Sequence, residues 1–495
     1  MDLEAYRKSA ETFLESLERE FYRHYAGLQE AFEIEPIYSR HASLFSRGAV
    51  ESLRQLRDRA APGGEDRRRL SALLDFAAQG YVSDRSKSLE AELAQREATL
   101  QIDLGGERLG FRASTVAQAN EPDGIRRALI ERGRLGLIET ELQPLHEELF
   151  ERRQACALAL GWSDYRELCA DCKGLDLDGL HAQTEEFLAR TSRLYPELLG
   201  PQLRSILEIE PGELRSSDLP RLFRAPIWDG LFPGDRLVAS FAQTMAGLGI
   251  DVRGQPGVTL DIDSRPNKSP RAFCAPVRTP GEVYLVIAPF GGRDDFEALF
   301  HEGGHTQHHA HVDAGLPFEF RYLGDNAITE TYAFLFQHLV DNPSWLERHL
   351  GVEDPAGLAA YARAKRLVYL RRYAAKLSYE LELQVRNGSS LATLRHRYSE
   401  LLGSAVRTPW PGETFLADVD PGFYCTCYLR AWALEARLRA WLSEQFGADW
   451  FASPEAGAEL RTLWRLGQRA TPDELVDELG GGPLDFASLA TEFGR

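Results

Sequence analysis

The chain has 495 residues, 43% of them hydrophobic, which is enough to bury a sizeable core and excludes a wholly disordered polypeptide. Its 57 basic and 75 acidic residues give a formal net charge of −18, which excludes a generally basic nucleic-acid-coating protein. No apolar run reaches the roughly 18 residues a bilayer span needs. The first twenty residues form a charged amphipathic pattern without a signal-peptide core. Six cysteines with irregular spacing do not make a secreted disulfide framework. The expectation is a cytoplasmic protein with neither a membrane nor a nucleic-acid partner, and the dispersed acidity reads first as a solubility feature.

Residues 1 to about 220 carry apolar positions at helical spacing, as in Phe13, Leu14, Leu17 and Phe21, and again in Leu70, Leu73, Leu74 and Phe76. Turn signals at 61–64 (APGG), 121–124 (EPDG) and 211–212 (PG) separate these helices. Between about 250 and 290 the texture changes. The segments 258–264 and 271–290 are rich in β-branched and apolar residues, and Thr279-Pro280-Gly281 lies between two such runs, which predicts a small sheet with a hairpin and no other β-structure. Helical patterns resume at Asp294 and continue to the end. Residues 361–400 hold nine basic and three acidic side chains, read either as a solvated helix face or as a wall for an acidic substrate group. The expected division is an N-terminal helical lobe, 1–220, and a catalytic lobe, 221–495.

The chemistry concentrates at 301–311, HEGGHTQHHAH. His301 and His305 are four residues apart and share one helix face, so two imidazoles can bind one metal. Glu302 is rotated by about 100° and can face a water without taking a coordination place. This is the arrangement of a zinc site with an open position and a carboxylate general base. Two residues compete for third ligand. His311 has metzincin spacing, but that pattern needs glycine where His308 stands and a downstream methionine, whereas the methionines are Met1 and Met245. Glu330 is the better candidate: an apolar helical pattern, NAITETYAFLFQHL, bears this single carboxylate, and a buried charge needs a counter-charge.

The motif resembles that of the thimet oligopeptidase and oligoendopeptidase F superfamily of zinc metallopeptidases. His301, Glu302, His305, His308 and Glu330 fall on the family positions, and the lead-in VYLVIAPFGGRDDFEALF is similar as well. The resemblance is specific over about 270–340 and loose over 400–495. It implies a mainly α, two-lobed metallopeptidase with a deep central channel and a small β-sheet near the active site. One zinc per chain would be held by His301, His305 and Glu330, with Glu302 as general base and then acid, and short unstructured peptides as substrates. The family's second motif, with a His, a Gly-rich turn and several tyrosines, lays on DVDPGFYCTCYLRAW, which suggests Tyr424 and Tyr428 as catalytic groups through Gly422. This chain departs there: no His matches, and the last family tyrosine falls at Ala431, so Arg430 is a further candidate for the oxyanion. The alternatives are a carboxypeptidase, supported by 361–400, and a zinc-bearing peptide-binding protein without turnover.

The remaining candidates are lesser. Gly303, at a cost in helix propensity of about 1 kcal/mol, suggests close approach of another element. His308 is expected to support the site or face substrate, His309 and His311 to be exposed, and His338 to pack. Cys169 and Cys172 are read as ordinary thiols, and Cys425 and Cys427 as neighbours of the cleft.

Overall fold

The computed structural model describes residues 1–385, 388–482 and 484–494. It is 71% helix and 4% strand, as the apolar periodicity predicts. None of its helices is long and apolar enough to cross a membrane, among the described residues.

Contacts divide the chain into two compact units, each assembled from separate segments. The first comprises residues 1–77, 228–359 and 430–484, and the second 78–227, 360–429 and 485–495. This differs from the contiguous break expected near 220. Hydrophobic periodicity shows that a segment is helical but not which helices it packs against, and the first helix packs on the sheet some 250 residues downstream.

In the first unit, helix α1 (Leu3–Tyr25) starts where the Asp2 side chain accepts the Ala5 N–H, with Glu4 in its first turn and Arg23 and His24 in its last. Tyr6, Ala10 and Phe13 are its buried stripe. Helix α2 (Gly234–Gly247) buries Leu237, Phe241 and Met245. A short hairpin in the second unit, β1 (Gln101–Asp103) with β2 (Arg108–Gly110), adds β-structure that sequence reading did not anticipate. Three residues per strand are too few to show alternation.

The expected sheet is present as β3 (Val258–Asp261), β4 (Phe273–Arg278) and β5 (Glu282–Val286), in the order β3-β5-β4. β5 runs parallel to β3 and antiparallel to β4, with Cys274 opposite Leu285, so β4 is an edge strand. Helix α1 lies against this sheet: Tyr22 stacks on Tyr284 at 3.6 Å between ring centres, and Arg19 grips both oxygens of Glu282 at 2.6 and 3.0 Å.

Next come helices α3 (Arg293–His311) and α4 (Asn326–Gln337), which pack on each other. Helices α5 (Ala356–Val385) and α6 (Cys425–Phe446) follow. The core of the second unit gathers Phe150, Tyr379, Leu383, Leu394, Tyr398 and Leu402.

The basic stretch 361–400 is not an open wall, because most of its cations have partners, some buried and some, such as Arg397 with Glu382, on an exposed face. Arg371 is buried and donates to the carbonyls of Ala405 and Leu188, both at 2.8 Å. Arg372 pairs with Asp418 and Lys376 with Asp420, while Arg395 and Arg397 pair with glutamates. Arg386 lies outside the described residues.

Candidate metal centre

Helix α3 begins with Asp294 and Asp295, whose charges suit the positive end of the helix dipole. Asp295 Oδ2 also accepts the N–H groups of Phe290 and Gly291 at 2.8 and 2.9 Å, fixing the turn that enters the helix. Phe296, Leu299 and Phe300 are fully buried and orient it. The opposite side of this apolar stripe then presents His301 and His305.

Helix α4 starts at Asp325, whose side chain accepts the Ala327 N–H at 2.9 Å. Arg430 reaches the same carboxylate through two nitrogens, one at 3.0 Å from Oδ1 and the other on Oδ2. Arg430, weighed in the sequence as an oxyanion donor, is therefore a brace on the helix that carries Glu330. From Ala327 to Phe336 every residue of α4 is buried.

At Gly304 the two helices meet without a side chain between them. A Cβ on Gly304 would lie 2.4 Å from the Tyr332 carbonyl oxygen and 2.6 Å from Ala333 Cα, so only glycine permits this approach. Gly303, the extra glycine of the motif, faces α2 instead: a Cβ there would lie 2.3 Å from the Phe241 ring.

The close approach brings Glu330 Oε2 to 3.6 Å from His301 Nε2 and 3.7 Å from His305 Nε2. Ligand atoms of the three residues all lie within 4.8 Å of one another. Tetrahedral zinc with bonds of about 2.0–2.1 Å requires its ligand atoms to be about 3.3–3.4 Å apart. The residues therefore fit such an ion with small adjustments.

The outer nitrogens fit as well. His301 Nδ1 lies 2.8 Å from Gln337 Oε1, an acceptor, so Nδ1 carries the proton and Nε2 keeps its lone pair toward Glu330. His305 Nδ1 lies 2.8 Å from Thr329 Oγ1. Burial holds both imidazoles neutral, the form a metal binds: His301 falls to about 4, with Gln337 opposing and His338 assisting, and His305 falls well below its usual value.

Glu302 points to the sheet. Its Oε2 accepts the Cys274 N–H at 2.9 Å from the free edge of β4, which leaves Oε1 for a proton. Burial pushes this carboxyl up to about 8, with the Cys274 N–H opposing and the Glu330 charge adding to the rise.

His308 is fully buried, with Nε2 3.3 Å from the Gly467 carbonyl oxygen, so it ties α3 to the 467 turn. His309 and His311 are half-buried rather than exposed. His311 donates from Nδ1 to the Gln307 carbonyl at 2.8 Å and packs on Trp464, which places it outside the ligand group. His338 is buried 3.0 Å from Glu435 and stacks on Phe334, a packing role.

Tyr424 and Tyr428 belong to the second unit, where their rings meet edge-on at 5.1 Å and Tyr428 packs on Tyr373. Gly422 has φ 63° and turns the chain ahead of them. Ala431 is buried, and its carbonyl oxygen is 3.5 Å from the Thr331 hydroxyl. All six cysteines are free thiols, and Cys274 is the one that is not buried. A second grouping of possible ligands, Glu380, Asp420 and Cys425, already has a cation, because Lys376 Nζ lies 2.8 Å from Asp420.

Gln337 and Thr329 went unassigned in the sequence. Gln337 is seven residues after Glu330, two turns along the same helix face, and that spacing was the available signal. Compared with known proteins, the chain matches no family model and no curated sequence.

Proposed function

We propose that the chain is a zinc-dependent peptidase that hydrolyses short unstructured peptides. The observation that carries this reading is the convergence of His301, His305 and Glu330 beside a carboxylate, Glu302, anchored by a backbone amide on an edge strand. Two imidazoles and a carboxylate leave a fourth position open, and a zinc held there supplies polarisation of a carbonyl and activation of water. Glu302 takes the proton of the attacking water at Oε1 and later delivers it to the leaving nitrogen. The Cys274 N–H holds the other oxygen, so the base keeps one orientation through both transfers. Gln337 holds the His301 tautomer, and Thr329 orients the His305 ring. Tyr424 and Tyr428 are retained as candidates for gripping substrate, on the strength of the motif resemblance.

The carboxypeptidase alternative loses its only support, since the basic side chains of 361–400 are largely committed to partners within the second unit. The test is hydrolysis of a quenched-fluorescence peptide library by the wild type and by Glu302→Gln, with zinc content measured on both. The expected result is about one zinc per chain in each and a rate loss of at least about a hundredfold in the variant, the usual worth of a general base. Equal rates would sink the mechanism. Zinc and peptide binding without cleavage by the wild type would favour the non-catalytic alternative.

A further inference from the structure

The second unit contains a cavity of about 480 Å³, within the size range of small-molecule sites. None of its lining residues belongs to the first unit or to the metal centre. Its walls are aromatic. Phe223 and Tyr369 stack at 4.5 Å, and Trp410 stands beside them with its N–H donated to the Tyr398 hydroxyl at 3.0 Å.

The polar groups in the wall are not evenly matched. Arg372 and Asp418 close on each other through contacts of 2.6 Å. Arg134 spends Nη1 on the Phe111 carbonyl and the Ser114 hydroxyl, at 2.6 and 2.7 Å, and lies over the Phe111 ring. Glu131 has only the Ser216 hydroxyl, at 2.9 Å. No lysine, arginine or histidine nitrogen of the described residues is within ion-pair distance of it.

A half-buried carboxylate with one neutral donor and no direct ion pair is under-satisfied, because the nearest wall cation, Arg134, is held on the Phe111 carbonyl and the Ser114 hydroxyl and acts on it only from a distance. We propose that this cavity binds a small primary ammonium compound with a flat apolar body, its ammonium received by Glu131 and its body by the aromatic wall. The electrostatics agree. Burial raises the Glu131 carboxyl, Asp218 and Glu413 add to the rise, and the Ser216 hydroxyl and Arg134 only partly oppose it. A bound ammonium supplies the direct ion pair that Arg134 does not make, and packing of the body on Tyr369 or Trp410 adds an apolar contribution. The inference stands on the second unit alone and does not depend on the peptidase reading.

The test is isothermal titration of the 495-residue chain with two probes of the same shape and opposite charge, phenethylamine and 3-phenylpropionate. The expected result is one phenethylamine bound per chain, no binding of 3-phenylpropionate, and an affinity for the amine weaker by about tenfold or more in Glu131→Gln, in keeping with loss of a charge-assisted hydrogen bond. Binding should persist in His301→Ala, because the metal centre is not involved. Equal binding of the two probes, no amine binding at roughly millimolar concentration, an unchanged affinity in folded Glu131→Gln, or loss of binding in His301→Ala would each overturn the proposal. The two-probe comparison needs no variant, so it decides the matter even if Glu131→Gln fails to fold.

Discussion

Replacing Gly304 with alanine tests whether the close packing of α3 and α4 builds the metal centre. The new Cβ would sit 2.4 Å from the Tyr332 carbonyl oxygen, 2.6 Å from Ala333 Cα and 2.8 Å from Ala333 N. All three are backbone atoms of a buried helix, so no side chain can rotate away. Ordinary contact needs about 3.4 Å, so the helices must part by about 1 Å, at an overpacking cost of about 1–3 kcal/mol. Helix propensity returns at most about 1 kcal/mol. The same parting would stretch the Glu330 Oε2 distances, now 3.6 and 3.7 Å to the two imidazoles, to about 4.6 Å, further from the roughly 3.3–3.4 Å that a tetrahedral ion needs. The variant should lose zinc affinity by at least about a hundredfold, beyond the effect of disturbing a supporting residue. Chelator competition and elemental analysis measure the affinity, and melting with and without zinc separates it from fold stability. Gly303→Ala is the control. Its Cβ meets the Phe241 ring on α2, so it should lower stability while the ligand spacing survives. Wild-type zinc affinity in folded Gly304→Ala would refute the account.

Further expectations concern other parts of the first unit. Gln337→Ala removes the acceptor that sets the His301 tautomer and should weaken zinc about 10–100-fold by competition titration, with the melting temperature of the metal-free protein little changed. Arg430→Ala removes the brace on Asp325 and should lower both stability and zinc affinity; a loss confined to turnover would instead return Arg430 to the oxyanion role. His349 is buried between Trp345 and Phe451, and burial first, then Arg348 and Arg236, lowers it from the usual 6.5 to about 4. Its folded value lies below its unfolded one, so the stability it contributes is present above about pH 6.5 and is lost as pH falls toward 4. His349→Phe should therefore show a shallower acid decline, by up to about 1.4 kcal/mol per pH unit, in denaturant titrations across that window; an unchanged slope would contradict it.

The candidate ligand group was readable because its signals are local. A four-residue spacing puts His301 and His305 on one face, and an apolar helix with one carboxylate marks Glu330. The sheet was readable for the same reason, from β-branched runs on either side of Thr279-Pro280-Gly281. What escaped depends on which distant segments meet. Gly303 drew notice as the extra glycine in the motif, yet the ring it faces is on α2, and the glycine that lets the two ligand helices touch is Gly304. The cations of 361–400 looked like a surface until their partners at 188, 405, 418 and 420 were seen. Residues 1–77 could not be assigned to the unit containing the sheet without knowing that Tyr22 stacks on Tyr284.

The hydrogen bond from Cys274 N–H to Glu302 has a consequence for how this chain can vary. The donor is main chain, present in nineteen of the twenty amino acids, so the aim of the carboxylate does not depend on which side chain stands at 274, although the thiol's place against Thr306 limits its size. Serine or alanine at 274 should be silent for orientation of the base. Proline, which lacks the N–H, is the one residue that deletes the contact, and an edge strand is where a sheet otherwise tolerates it. A library at position 274 should thus accept small residues for turnover and reject proline, recording a constraint that belongs to the backbone rather than to the thiol.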